Sequence, residues 1–191
     1  SAPSTVKETW AAGETTASLW NDRGPIHTPT AGPFPRAPAA TKFFNGGFRF
    51  KSSTGLAQPG FNINISPTAR QSDRRNSFIR IKDDAGAGFK VEFIETYAAG
   101  VFSTDIPIAS GISYSAWHQL DIYIEFVDGL NGDGSGNDIV RIYLDGALIK
   151  VGTTWETFYR VATPTRPIGA VDALMFRSST AGGPAGSRCG G

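Results

Sequence analysis

The stretch from Trp117 to Gly146, WHQLDIYIEFVDGLNGDGSGNDIVRIYLDG, constrains the fold of this chain most tightly. Its first half alternates: Leu120, Ile122, Ile124 and Phe126 fall on one side of an extended backbone, and Asp121, Tyr123 and Glu125 on the other. The second half repeats the pattern, with Val140, Ile142 and Leu144 opposed to Ile139, Arg141, Tyr143 and Asp145. Side chains on a strand point alternately to opposite faces, so each half predicts a strand with one face for a core and one for water. Between them, Asp128 to Asp138 is almost all turn-forming residues. Two half-buried strands joined by such a loop predict antiparallel sheet.

The same period recurs along the chain. Phe44, Phe48 and Phe50 mark a first core strand interrupted by Asn45-Gly46-Gly47, and Phe61, Ile63 and Ile65 alternate with Asn62, Asn64 and Ser66 up to Pro67. Phe78, Ile79 and Ile81 lie in the next strand, Asp83–Gly86 is a hairpin turn, and Phe89, Val91 and Phe93 share one face of the returning strand. Tyr97 to Ala116 reads as a long loop of small residues with a short strand at Phe102–Ile106. Ala147–Val151 and Val171–Arg177 are further strands, with the segment WETFYR (Trp155–Arg160) between them. Charged residues make up only 18% of the chain, while 23 glycines and 12 prolines punctuate it. Regular strands spaced by turn clusters, with no helical period, predict an all-β fold: a two-sheet antiparallel β-sandwich of jelly-roll type.

Three regions follow. Residues 1–40 form a Pro-rich irregular arm, with Pro25, Pro29, Pro33, Pro35 and Pro38 excluding a central strand and Trp10, Trp20 and Phe34 as anchors onto the domain. Residues 41–178 form the sandwich, and 179–191 a flexible Gly-rich tail. A net charge of +1 gives no bulk attraction for nucleic acid. No apolar run approaches the roughly 20 residues that span a bilayer. The single Cys189 allows no intrachain disulfide, and Ser1–Thr5 reads as a mature N-terminus after processing.

Trp117-His118 opening one strand, and Ile142-Tyr143-Leu144-Asp145-Gly146 closing a later one, resemble the laminin-G-like branch of the concanavalin-A-like lectin/glucanase superfamily. TTWETFYR and VDALMFRSS look like segments of uncharacterised secreted bacterial domains of that type, and the resemblance runs from about Phe43 to Arg177. It implies a jelly roll with one sheet often concave and ligand-facing, and an extracellular or cell-surface location. It also implies a further closing strand after the Gly-rich stretch, which this sequence does not display. An open edge there invites pairing with another chain.

Several residues are candidates for chemistry. The oxygen-bearing Asp128, Asn131, Asp133, Asn137 and Asp138, wrapped by glycines, suit a Ca²⁺ ion, although their order is not that of an EF-hand. Family 16 glucanases carry E-x-D-x-E or E-x-D-x-x-E on one strand, with paired glutamates for a retaining mechanism. Here Gln119 replaces the first glutamate, and Glu125 comes too late after Asp121. The chain is therefore expected not to be an enzyme, with a degenerate glucanase kept as a third reading. His27 and His118 are too few for a multi-histidine metal site. Arg70, Arg74, Arg75, Arg80 and Lys82 form a basic cluster suited to an acidic polysaccharide, because guanidinium forks match carboxylate and sulfate. Tyr97, Tyr114, Trp155 and Tyr159 are candidates for stacking on sugar rings, with Arg74 and Arg75 beside them. The expected function is a non-catalytic, lectin-like, carbohydrate-binding domain, with Ca²⁺ as a candidate cofactor and a polysaccharide or glycan as partner. The alternative is a structural subunit of an extracellular assembly, a homo-oligomer or polymer joined through strand or arm exchange.

Overall fold

The structure, a computed structural model, describes residues 42–68, 75–162, 171, 173–178 and 188–190. The expected arm at 1–40, Arg70, Arg74 and most of the tail lie outside them. Ten strands are described: β1 (Phe43–Lys51), β2 (Asn62–Thr68), β3 (Phe78–Asp83), β4 (Phe89–Ile94), β5 (Ile106–Ile112), β6 (His118–Glu125), β7 (Ile139–Leu144), β8 (Ala147–Gly152), β9 (Ala173–Ser178) and β10 (Arg188–Gly190). They form two antiparallel five-stranded sheets, the first in the order β10-β1-β6-β7-β8 and the second in the order β5-β4-β3-β2-β9.

The inward faces pack as the alternation requires. Phe48, Phe50, Leu120, Ile122, Ile124, Val140 and Ile142 of the first sheet meet Ile63, Ile65, Ile79, Ile81, Phe89, Val91, Phe93, Leu174 and Phe176 of the second in one buried core. The Phe48 ring meets Phe176 edge to face at 5.0 Å. Each such side chain withdrawn from water contributes about 1.5–3 kcal/mol.

Two expectations are corrected. The loop from Tyr97 to Ala116 contains a full strand, Ile106–Ile112, whereas Phe102 makes only an isolated bridge to Thr96. In WETFYR the chain turns helically from Glu156 and ends in a π-type turn, Phe158–Ala162. Residues 188–190 are not part of a free tail but pair with β1, Phe50 opposite Cys189. That short strand occupies the edge beside β1 that was expected to stand open.

The WH and YLDG segments turn out to be partners. The His118 Nδ1 lies 2.7 Å from an Asp145 carboxylate oxygen, and its Nε2 lies 3.2 Å from the Ser113 carbonyl. The other Asp145 oxygen accepts the Gln119 N–H at 2.8 Å. Asp145 (φ 51) and Gly146 (φ 83) make the tight turn from β7 to β8, so the motif latches the start of β6 to the end of β7. Partial burial by itself would raise the Asp145 carboxyl, but His118 and the Gln119 amide outweigh it and hold the group below its ordinary value. Asp145→Ala is expected to cost about 1–2 kcal/mol and to lower Tm by roughly 2–4 °C per kcal/mol in a domain of this size. Asp145→Asn, which keeps an acceptor and tolerates the positive φ, should lose less. Thermal melts of the two variants check this, and an unchanged melt for Asp145→Ala would contradict it.

Candidate functional site

The outward residues of the second sheet are unusual for a solvent face. Alternation turns Asn62, Asn64 and Ser66 of β2, Phe78, Arg80 and Lys82 of β3, and Lys90, Glu92 and Ile94 of β4 away from the core. Register then sets them in cross-strand rows: Asn62 beside Lys82 beside Lys90, and Asn64 beside Arg80 beside Glu92. Several of them are nevertheless buried, Glu92 being only 2% exposed and Ser66 and Asn64 comparably shielded. The face is recessed.

Glu92 is the hub. Lys82 Nζ lies 2.6 Å from its Oε1 and Lys90 Nζ 3.7 Å, while Arg80 stands 3.6 Å from Oε2. Arg80 Nε also donates to Asn64 Oδ1 at 3.1 Å, and the guanidinium pairs with Asp105. The Arg80, Lys82 and Lys90 side chains remain partly exposed. Three buried oxygens on this face, Asn62 Oδ1, Ser66 Oγ and Glu92 Oε2, make no hydrogen bond. Such atoms are costly to leave unmet and need a reason. The arrangement sets three partly exposed cations around a buried carboxylate, with buried amide and hydroxyl groups beside them.

One end of this face is closed by a second apolar cluster. Phe78 and Ile94, opposite each other on β3 and β4, are covered by Trp155, Phe158 and Tyr159. This is where the expected sugar-stacking aromatics are found, and for two of them the expectation is corrected. Trp155 (7% exposed) and Tyr159 (5%) are core side chains. The Trp155 indole stacks on Phe78 at 6.3 Å and donates to the Ile94 carbonyl at 2.9 Å, and the Tyr159 hydroxyl donates to the Arg75 carbonyl at 2.8 Å. The Arg75 guanidinium sits 5.3 Å from the Trp155 ring. Burial of a large aromatic against its own sheet is worth more than exposing it for a ligand. Tyr114 is also engaged: its hydroxyl lies 3.1 Å from an Asp83 carboxylate oxygen and accepts the Gly88 N–H at 3.1 Å, with the ring edge-on to Phe89. Tyr97 is 51% exposed, beside the 3₁₀ turn Ala98–Gly100. The structure thus brings Trp155, Tyr159 and Arg75 together, sets Tyr97 at the 3₁₀ turn that lies against the Phe158–Ala162 turn, and leaves Tyr114 elsewhere on a loop. Lys90 and Glu92 were missed. A turn at Asp83–Gly86 already implies that Lys82 faces Lys90 and Arg80 faces Glu92, and this was the signal.

The side chains of the loop Asp128–Asp138 bond partly within the loop and partly to its neighbours. Asp133 accepts the Ser135 N–H at 2.9 Å and the Ser135 hydroxyl at 2.6 Å, which hold its carboxyl below the ordinary value. The Asn131 amide donates to Ser135 and Gly136, and the Asn137 amide to the Asp128 carbonyl. Asp138 is buried, accepting the Val127 N–H and the Thr154 hydroxyl. Among the described residues no group of three His, Cys, Asp or Glu side chains is placed to hold a metal ion.

No protein-family model matches the chain, and no curated protein matches it in sequence. Among solved structures, the endo-β-1,4-glucuronan lyase from the fungus Trichoderma reesei is similar over 81% of this chain and 71% of that chain, at 13% identity and a TM-score of 0.37. At that level the likeness says nothing about activity. No helix among the described residues is long and apolar enough to cross a membrane.

Glu156 roots the loop in the body of the protein. It is fully buried, accepts the Asp138 N–H at 2.6 Å, and has Arg160 3.5 Å from its second oxygen. Burial first, and then the Asp138 charge, push its carboxyl from 4.5 up to about 7, and burial raises Asp138 as well. A carboxyl raised in the folded state favours folding while it is protonated. That contribution is complete below about 4.5 and is lost as the pH rises through about 7. The urea midpoint is expected to fall between pH 5 and pH 7.5, and Glu156→Gln to remove most of that fall. An equal slope in the variant would show that Glu156 does not carry it.

Proposed function

We propose that this β-sandwich is a non-catalytic carbohydrate-binding domain of concanavalin-A-like type that acts outside the cell, and that the recessed face of its second sheet holds an acidic polysaccharide. The observation that carries this is the pair of cross-strand rows, Asn62–Lys82–Lys90 and Asn64–Arg80–Glu92, with three partly exposed cations gathered on one sheet face. Strands lie about 4.8 Å apart, so a row across three of them spans roughly 10 Å, on the order of two sugar rings. Guanidinium and ammonium groups meet carboxylate or sulfate. The basic residues read from sequence, Arg80 and Lys82, contribute, and Lys90 joins them.

The test is affinity electrophoresis through alginate, polygalacturonate and heparin. The wild-type chain should be retarded in at least one of them. The double variant Lys82→Gln/Lys90→Gln should bind about tenfold more weakly, with a shallower dependence on salt. Retardation should come without release of reducing ends or unsaturated products. Repeating the run with calcium and with chelator separates a metal-assisted contact from a direct one. Unretarded wild type, or a double variant that binds equally well, would remove this reading.

A further inference from the structure

Two short turns beyond the second sheet gather apolar side chains in the open. Tyr97 and Val101 flank the 3₁₀ turn Ala98–Gly100, Phe102 follows it, and Val161 lies in the π-type turn Phe158–Ala162. Each of these four side chains is 40% exposed or more. The two turns are pressed together, since a Cβ on Gly100 would come within 2.9 Å of the Ala162 side chain and of the Phe158 backbone. The Tyr97 N–H donates to the Val101 carbonyl at 2.7 Å, folding the first turn back on itself. Phe102 lies over other rings, 4.7 Å from Trp155 and 4.9 Å from Phe158. An exposed apolar patch of this kind, lined by aromatic rings, marks an interaction site.

The sequence that precedes the described residues carries what such a surface takes. Residues 33–38 read Pro-Phe-Pro-Arg-Ala-Pro, and Pro29, Pro35 and Pro38 are spaced six and three apart. Proline holds φ near the polyproline II value, and that helix has three residues per turn, so these rings line one of its faces. Segments of this kind dock on aromatic-lined surfaces with little entropy to lose. The chain also enters the domain within reach of the patch. The Lys42 carbonyl accepts the Phe126 N–H at 2.8 Å, which sets the start of β1 beside the end of β6. The end of β8 lies at the same pole, and just beyond it the Thr154 carbonyl accepts the Thr96 hydroxyl next to Tyr97. From β1 to β8 is three strand spacings, about 14 Å, and stacked sheets lie about 10 Å apart. From Lys42 back to Pro33 the chain spans about 28 Å as polyproline II.

We propose that the patch of Tyr97, Val101, Phe102 and Val161 is the docking surface for this chain's own residues 33–38, held as a polyproline II segment. The proline rings and Phe34 give the patch its apolar cover. A polyproline II backbone makes no internal hydrogen bonds, so its carbonyls are open to a donor such as the Tyr97 hydroxyl. Docking covers Tyr97 and withdraws it from the side chains open to a sugar ring. The inference does not rest on what the recessed face binds.

The experiment is limited trypsin digestion of the intact chain, read by mass spectrometry, with sedimentation velocity at the same concentrations. Arg36 lies inside the docked segment and Arg23 outside it. Relative to cleavage after Arg23, cleavage after Arg36 should be at least tenfold faster in Val101→Asp and in Val161→Asp than in the wild type. Both variants change exposed residues and should keep the wild-type circular dichroism and melt. Val151→Asp, which alters an exposed apolar residue on β8, should protect Arg36 as the wild type does. Equal cleavage after Arg36 in the wild type and both patch variants would overturn the proposal. So would loss of protection in Val151→Asp. Protection that appears only at concentrations where a dimer sediments would overturn it too, and would assign the patch to a neighbouring copy.

Discussion

Leu120, Ile122 and Ile124 on β6, with Val140 and Ile142 on β7, are removed from water only because Ile63, Ile65, Ile79, Ile81, Val91 and Phe93 lie against them. This face-to-face burial is the constraint on which the rest of the protein depends. Because the side-chain period of a strand is two, a slip of one residue would turn the whole apolar set outward. The core therefore fixes the parity of every strand it touches. Parity in turn decides which polar side chains stand together on the outer faces. Neither outer face could keep its composition if the core repacked in another register.

Polar groups finish what the apolar faces begin. At one border the Glu95 carboxylate, near the end of β4, takes Lys150 at 3.0 Å and the Thr153 N–H at 3.0 Å, tying the second sheet to the end of β8 in the first. Gly152 makes room for this clasp, since a Cβ there would strike Glu95 and the Phe93 ring. The chain then passes from β8 over the second sheet, where Trp155 caps Phe78 and Glu156 receives the Asp138 amide. One short segment thus closes the end of the recessed face and secures the Asp128–Asp138 loop. The Glu156 carboxylate pins that loop from inside, where its charge is disfavoured.

The two outer faces differ because the strands beneath them differ in what they place outward. On β3 and β4 the outward positions are mostly charged, and their convergence on a buried Glu92 leaves acceptors without partners. On β6 and β7 they are a mixture of tyrosines, amide and paired charges, lying in the open. One core thus supports two surfaces with different chemistry, and the site rather than the fold decides what each can bind.

The amino-acid order by itself determined the strand class, the core residues and the face on which each outward side chain stands, because these follow from local period. The strands β2, β3, β4, β6 and β7 were legible for that reason. Ile106–Ile112 was not, because its Pro107, Ser110 and Gly111 obscure the alternation and turn it into an apparent loop. Arg188–Gly190 was too short to carry any period. Only the tertiary structure decided that His118 and Asp145 are partners, that Trp155 and Tyr159 are core side chains, and that Asp133 turns its carboxylate onto Ser135. Only the tertiary structure, likewise, buried Glu92 among three cations. Period tells which face a side chain takes. Register between distant strands, and what covers each end of a sheet, come from packing that no local pattern encodes.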